Sequence, residues 1–385
     1  MTEDWRSGGF GLYVHWPFCT AKCPYCDFNS HVSRQIDQGQ WERAYLAEIA
    51  RVAEETKGRV LNTLFFGGGT PSLMEPALVA RIIDAVRSAW PMVNNPEITL
   101  EANPGSVESG RFRAFSEAGV TRVSMGVQAL NDDDLRRLGR LHTVGEARTA
   151  FDIAQRHFER VSFDLIYARQ HQSLDAWKAE LTDALAMAAD HLSLYQLTIE
   201  PGTAFGERFE MGKLAGLPPD DRAAEMFEAT QDLCEAAGLP AYEISNHARP
   251  GAESRHNLIY WRYGDYAGIG PGAHGRLSLN ETRYATETEL RPADWLKAVE
   301  NGSGEMPRAE ISRREQADEY LMLCLRTSEG LDTDRYARLS GESPSPRKIE
   351  YLEDLGLLRA SGSRLIATRS GRLLLNQVIR TLLAG

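Results

Sequence analysis

The chain has 385 residues, 42% of them apolar and 25% charged, with a formal net charge of −11. That length exceeds one ordinary core, so two domains are expected, and the composition is that of a globular protein in solution. The acidic balance argues against a broad phosphate-binding surface. No apolar run approaches a membrane span, and residues 1–10 (MTEDWRSGGF) lack a signal peptide's basic and apolar regions, so a cytoplasmic protein is expected.

In chain order, short runs rich in Val, Ile, Leu, Phe and Tyr predict strands over 11–16, 61–66, 97–102, 122–128, 160–167 and 191–197. Helices fall between most of them. One, over 41–55, puts Trp41, Tyr45, Ile49 and Val52 on one face; another, over 173–188, opens with Ser173 as a cap and aligns Leu174, Trp177, Leu181 and Leu185. Repeated strand–helix units build a parallel α/β sheet with right-handed crossovers, and six strands fall short of an eight-stranded barrel. Residues 201–219, rich in Gly and Pro, read as a loop. A helix (221–237), a strand (241–248) and a Gly-dense aromatic segment follow. From about 305 helices over 314–327 and 346–358, a hairpin in RASGSRLIAT and an apolar final stretch predict a mainly helical, winged-helix-like domain. The expected division is 1–300 and 301–385.

Five cysteines in such a chain point to metal or redox chemistry rather than a disulfide framework. Three form Cys19-x-x-x-Cys23-x-x-Cys26. Zinc would take a fourth ligand from His15 or His31, and a Cys23/Cys26 redox pair would leave Cys19 unexplained. A third reading is a four-iron cluster on three thiolates, its open iron free to chelate the amino and carboxylate groups of S-adenosylmethionine. Cys234 and Cys324, in predicted helices, read as buried core thiols. Forty residues after Cys26, the run Phe66-Gly-Gly-Gly-Thr-Pro-Ser72 ends a predicted strand; its glycines allow close backbone approach, and it lacks the Gly-Lys-Ser/Thr ending of a phosphate loop. Glu101, Gln128, Arg140 and Asp164 fall at or beyond the carboxyl ends of successive strands, where parallel barrels place their sites. Singly each is an ordinary solvated or capping residue. Together they offer a carboxylate for an ammonium, a guanidinium for a carboxylate, and acceptors for ribose hydroxyls.

The cysteine spacing and the glycine motif together resemble the radical S-adenosylmethionine (radical SAM) superfamily. The resemblance implies that Cys19, Cys23 and Cys26 hold a 4Fe-4S cluster reduced by an electron donor. It assigns Gly68, Gly69 and Thr70 to the methionine end of the cofactor, Glu101 to its ammonium, Arg140 to its carboxylate, and Gln128 and Asp164 to its ribose. Tyr13 is expected over the cluster, with Tyr25 among the cofactor contacts. Tyr13-Val-His-Trp-Pro-Phe-Cys19, Glu101-Ala-Asn-Pro, Gly126-Val-Gln128 and Asp164-Leu-Ile-Tyr167 are also similar, over nearly the whole chain, to the oxygen-independent coproporphyrinogen III oxidases and their relatives. That branch implies an incomplete (β/α)6 radical SAM barrel with a carboxyl-terminal helical domain.

Within it, two features favour the haem chaperones of the HemW type over the decarboxylases. Phe28 stands where the decarboxylase pattern has a further cysteine, and His256-Asn-Leu-Ile-Tyr-Trp261 matches the chaperones' H-N-x-x-Y-W. The implied function is binding haem and delivering it to haem-accepting proteins; oxidative decarboxylation of coproporphyrinogen III is the alternative. His256 is the expected haem contact, because a neutral imidazole suits haem iron and, in a helix, Tyr260 lies one turn away. His247 and His274 are alternative ligands, and plain packing with a hydrogen-bonded His256 is the alternative to any haem role. One departure stands out: Ala168-Arg-Gln-His-Gln172 replaces the family's Gly-Leu-Pro-type turn, and altered loop packing is expected there. Residues 335–385 carry nine Lys/Arg against four Asp/Glu, but spread out, so no nucleic-acid partner is expected. Transient association with a membrane during transfer is left open.

Overall fold

β1 (Phe10–Trp16) is buried at every position but Tyr13, the pattern of a strand with neighbours on both sides and layers on both faces. A computed structural model describes residues 3–33, 35–106 and 109–384 of the chain. β2 (Leu61–Gly68), β3 (Met92–Ala102), β4 (Arg122–Gln128), β5 (Arg160–Tyr167) and β6 (His191–Gln196) follow β1 in sequence and in space, each parallel to the last. These are the six predicted strands, β2 and β3 running longer than expected. Helices Gln38–Glu55, Pro76–Ala89, Ser109–Ala118, Val144–His157 and Leu174–Met187 make the crossovers. Ser173 caps the last of these, accepting from the Ala176 N–H at 3.1 Å.

The sheet continues beyond the predicted set. β7 (Asn246–Ala248) pairs antiparallel with β6, and on the other side β8 (Asp265–Ile269) lies parallel to β1. Beyond β8 come β9 (His274–Leu279), β10 (Thr282–Glu287) and β11 (Ala309–Glu310), all antiparallel. The eleven strands form one open sheet in the order β11-β10-β9-β8-β1-β2-β3-β4-β5-β6-β7. The radical SAM-type incomplete barrel is therefore present, with seven parallel strands rather than six.

Three local expectations change. The strand expected over 241–248 shrinks to Asn246–Ala248, because the chain folds back so that Ala241 bridges His247 and the buried Glu243 accepts from the Asn246 amide. The expected loop at 201–219 contains a helix, Ala204–Glu210, capped by Thr203, with Phe205 buried beneath it. The Gly-dense segment holds β8 and the β9–β10 hairpin. Gly268 interrupts its strand-like look for a packing reason: a Cβ there would lie 2.2 Å from the His274 carbonyl oxygen.

One apolar core runs between the sheet and its helices, from Trp5 to Val299. A second is built from residues 317–382 with Tyr263. It joins helices Arg313–Cys324, Thr333–Ser340 and Pro346–Asp354 to a three-stranded sheet of Leu331–Asp332, Leu358–Ser361 and Arg364–Ala367, a winged-helix-like arrangement with the predicted hairpin as its wing. The last strand of the main sheet, β11, lies past residue 300. Among the described residues no helix is long and apolar enough to cross a membrane.

Candidate functional site

The cysteine loop starts where β1 ends. Phe18–Cys19 pairs in parallel with His31–Val32, which ties the two ends of the loop together. The glycine motif at the end of β2 braces it from below: Gly69 N donates to Trp16 O at 2.7 Å and Thr70 N to Phe18 O at 2.8 Å. A Cβ on Gly69 would sit 2.6 Å from the Phe18 carbonyl oxygen, so this approach requires glycine. Thr70 Oγ1 donates to Cys19 Sγ at 3.4 Å, and Arg140 Nη1 to Cys23 Sγ at 3.3 Å.

All three thiols line one cavity of about 150 Å³, together with Tyr25, Gly68, Gly69, Thr70, Glu101, Gln128, Arg140 and Asp164. Residues spread over 145 positions of sequence meet here because parallel strands bring their carboxyl ends to one rim. Among the described residues, no three His, Cys, Asp or Glu side chains converge as ligands of a single metal ion. Of the histidines that zinc would need, His15 has both ring nitrogens engaged, with the Tyr13 hydroxyl at 3.0 Å and Asn29 O at 2.9 Å, and His31 has its Nε2 on Asn29 Oδ1 at 3.1 Å. Thiols spaced around a shared cavity suit a cluster that brings its own bridging sulfides.

The polar rim is left with open valences. Arg140 gives Nη2 to Gly126 O at 2.7 Å, while its Nε is buried without a partner. Glu101 accepts from Gly68 N at 3.2 Å, and Asp164 from Ser124 Oγ at 3.3 Å. Burial, and then the charge of Asp164, raise the Glu101 carboxyl to about 8. Burial raises Asp164 to about 6, against the hydrogen bonds of Ser193 and Ser124. These groups fit S-adenosylmethionine, which brings an ammonium, a carboxylate and ribose hydroxyls to them. Cys19, Cys23 and Cys26 would hold the cluster, and Glu101, Arg140, Gln128, Asp164 and the Gly68–Thr70 backbone the cofactor. When bound, the pair supplies one-electron reductive cleavage of a sulfonium bond.

A second cavity, of about 550 Å³, adjoins the first and shares Phe28, Gly68 and Glu101 with it. Tyr13, expected over the cluster, stands on this wall instead, with Tyr260, Tyr266 and His274. Phe28 and Leu290, both strongly exposed, form its lip. His256 lines neither cavity. It sits on helix Arg255–Trp261, whose first N–H groups are held by the buried Glu97 of β3. Its Nδ1 meets Thr63 Oγ1 at 2.7 Å and its Nε2 meets the Tyr260 hydroxyl at 2.6 Å, and burial lowers its pKa to about 3. Tyr260 does lie one turn away, as the helical reading required, and it is the member of the motif that reaches the cavity. His247 is buried as well. His274 is open: its side chain is 60% exposed, and Glu287, directly opposite in the β9–β10 ladder, places Oε1 3.6 Å from its Nδ1.

Sequence reasoning missed Asn29. Its amide donates to Pro271 O at 2.9 Å and Leu290 O at 2.8 Å, joining the cysteine loop to the turn that presents His274. Its place three residues after Cys26 was the only signal, because both partners lie more than 240 residues away. The departure at 168–172 proves structural. Arg169 is buried and pairs with Glu180 at 2.6 Å and Asp134 at 2.9 Å, while Ala168 and His171 take the left-handed turn at φ +56° and +62°. Cys234 and Cys324 are buried in the cores.

The radical SAM superfamily model matches residues 13–182, and the HemN C-terminal domain model matches residues 311–374. The chain is 36% identical to heme chaperone HemW of Escherichia coli, covering 97% of this chain and 98% of that protein. It is 37% identical to the mitochondrial radical S-adenosyl methionine domain-containing protein 1 of Bos taurus, covering 97% and 87%. In fold it resembles the coproporphyrinogen III oxidase HemN of E. coli, with a TM-score of 0.82 at 21% identity over 99% of this chain and 92% of that one. With its thiols, glycine motif and strand-end rim gathered on one such scaffold, the chain belongs to the radical SAM superfamily, in the family of the heme chaperone HemW proteins.

Proposed function

We propose that this protein binds haem and delivers it to acceptor haemoproteins, on a radical SAM scaffold that carries one 4Fe-4S cluster, an exchangeable S-adenosylmethionine and access for an electron donor, in the cytoplasm. The observation that carries the reading is the cavity beside the cysteine loop. It has an apolar lip (Phe28, Leu290), aromatic walls (Tyr13, Tyr260, Tyr266) and one open imidazole. The names of the bacterial relatives support it. His274 is the iron ligand in this proposal, because it is the exposed imidazole on the cavity wall, and Glu287, with Oε1 3.6 Å from its Nδ1, stands where a carboxylate can orient a ligating ring. The role expected of His256 passes to positioning: it fixes Tyr260.

Haem titration of the purified protein tests this. His274→Ala is expected to weaken haem binding by roughly tenfold or more and to shift the Soret band, since an iron–imidazole bond is lost. His256→Ala should weaken binding less and leave the band in place. Parent protein that takes up no haem would defeat the proposal. An unchanged band in His274→Ala would defeat only the ligand assignment.

A further inference from the structure

Away from both cavities, a cleft of about 660 Å³ opens at the seam between the main sheet and the carboxyl-terminal bundle. Tyr167, Phe227 and Leu374 give it an apolar wall, and Arg326, Arg372 and Arg380 give it three guanidinium groups. Arginines buried in the cores of this acidic chain are matched with carboxylates, Arg59 and Arg283 with Asp265 and Arg169 with Asp134 and Glu180. Among the described residues, none of these three forms an ion pair within 4 Å. Burial pulls Arg326 and Arg372 below the ordinary guanidinium value. The acidic groups around them do not answer the charge. Asp220 lines the cleft without pairing with any of the three, Glu243 acts on Arg372 only at longer range, and His247 is itself pushed down, by burial and then by Arg372. Arg326 places one N–H on the Met322 carbonyl and keeps the rest. Helix Leu375–Leu383 also begins here, without a side-chain cap, and adds the positive end of its dipole.

Arg326 and Arg372 are half-buried and Arg380 is exposed, so water screens part of their mutual repulsion, and an anion that joins the three guanidinium groups relieves the rest. We propose that this cleft is a second ligand site, for a small molecule that carries clustered anionic oxygens, phosphate or carboxylate, on an apolar body. The guanidinium forks match either oxyanion bidentately, and the cleft has the size of small-molecule sites. The site does not depend on the haem reading, since no iron ligand is involved.

Binding of two probes to the full-length chain, followed by calorimetry, separates the sources: inorganic pyrophosphate for phosphates and metal-free protoporphyrin IX for carboxylates on an apolar body. At least one is expected to bind the parent. Its affinity should fall roughly tenfold or more in Arg326→Gln and Arg372→Gln, and should survive in His274→Ala. The ligand-free arginine variants should be no less heat-stable than the parent, because they lose a repulsion. Should either variant fail to fold, Arg380→Gln, on an exposed residue, carries the same expected loss. Binding of one probe alone supports the site and names the oxyanion. No binding of either probe, or affinities that the arginine variants leave unchanged, would overturn the proposal.

Discussion

Asp265→Ala is expected to cost about 3–5 kcal/mol of folding stability, the range for breaking a buried ion pair from one side. Asp265 opens β8 and is fully buried. Its Oδ2 takes Arg59 Nη1 at 2.7 Å and Ser278 N at 2.5 Å, and its Oδ1 takes Arg283 Nη1 and Ser278 Oγ, both at 3.0 Å. Truncation strands two guanidinium groups. Each lies over an aromatic ring, Arg59 over Trp5 at 4.3 Å and Arg283 over Tyr263 at 3.8 Å, but a ring face returns only part of the lost charge interaction. The damage reaches the candidate site, because β8 leads into the turn that presents His274. Asp265→Asn, which keeps the shape and loses the charge, should lose less. Denaturant unfolding of all three proteins checks this, and a loss below about 1 kcal/mol for the Ala variant would contradict it.

The largest effect on cofactor content is expected from Cys19→Ser, Cys23→Ser and Cys26→Ser. Each should purify anaerobically with iron and acid-labile sulfide near background, because a serine hydroxyl is not a thiolate. The fold should persist. The three side chains are only partly buried, and the loop is held by backbone bonds of Gly69 and Thr70 rather than by the thiols. Cys234→Ser and Cys324→Ser should keep the cluster: burial raises both thiols to about 12, and neither lines the cavity. Parent protein that takes up tightly bound zinc and no iron would refute the cluster assignment.

Much of this architecture could be read from the chain. Strands buried on both faces announce themselves as unbroken apolar runs, and β1 to β6 were found that way, through residues such as Leu64, Phe66, Ile98, Leu100 and Val123. Gly68, Glu101 and Gln128 lie at the carboxyl ends of the same strands, so finding the strands also located that part of the rim, whereas Asp164 lies within β5 and Arg140 beyond the short helix Asp132–Arg137. What escaped is decided by distant contacts. β8 hides because Gly268 must admit the His274 carbonyl, which weakens the strand signal. The helix at 204–210 hides because Pro and Gly flank it, and Phe205 shows its role only once its N–H meets Pro24 O in the cysteine loop. His256 shows the limit of local spacing. Its relation to Tyr260 was legible, but the bond of its other nitrogen to Thr63, 193 residues away, was not.

The most direct test of the central claim uses anaerobically reconstituted protein loaded with haem and mixed with a haem-depleted acceptor. A parallel sample receives coproporphyrinogen III, reductant and S-adenosylmethionine. The acceptor is expected to gain its haem spectrum while the parallel sample forms no protoporphyrinogen IX at an enzyme-like rate. Rapid decarboxylation, with haem left on the protein or never bound, would contradict it.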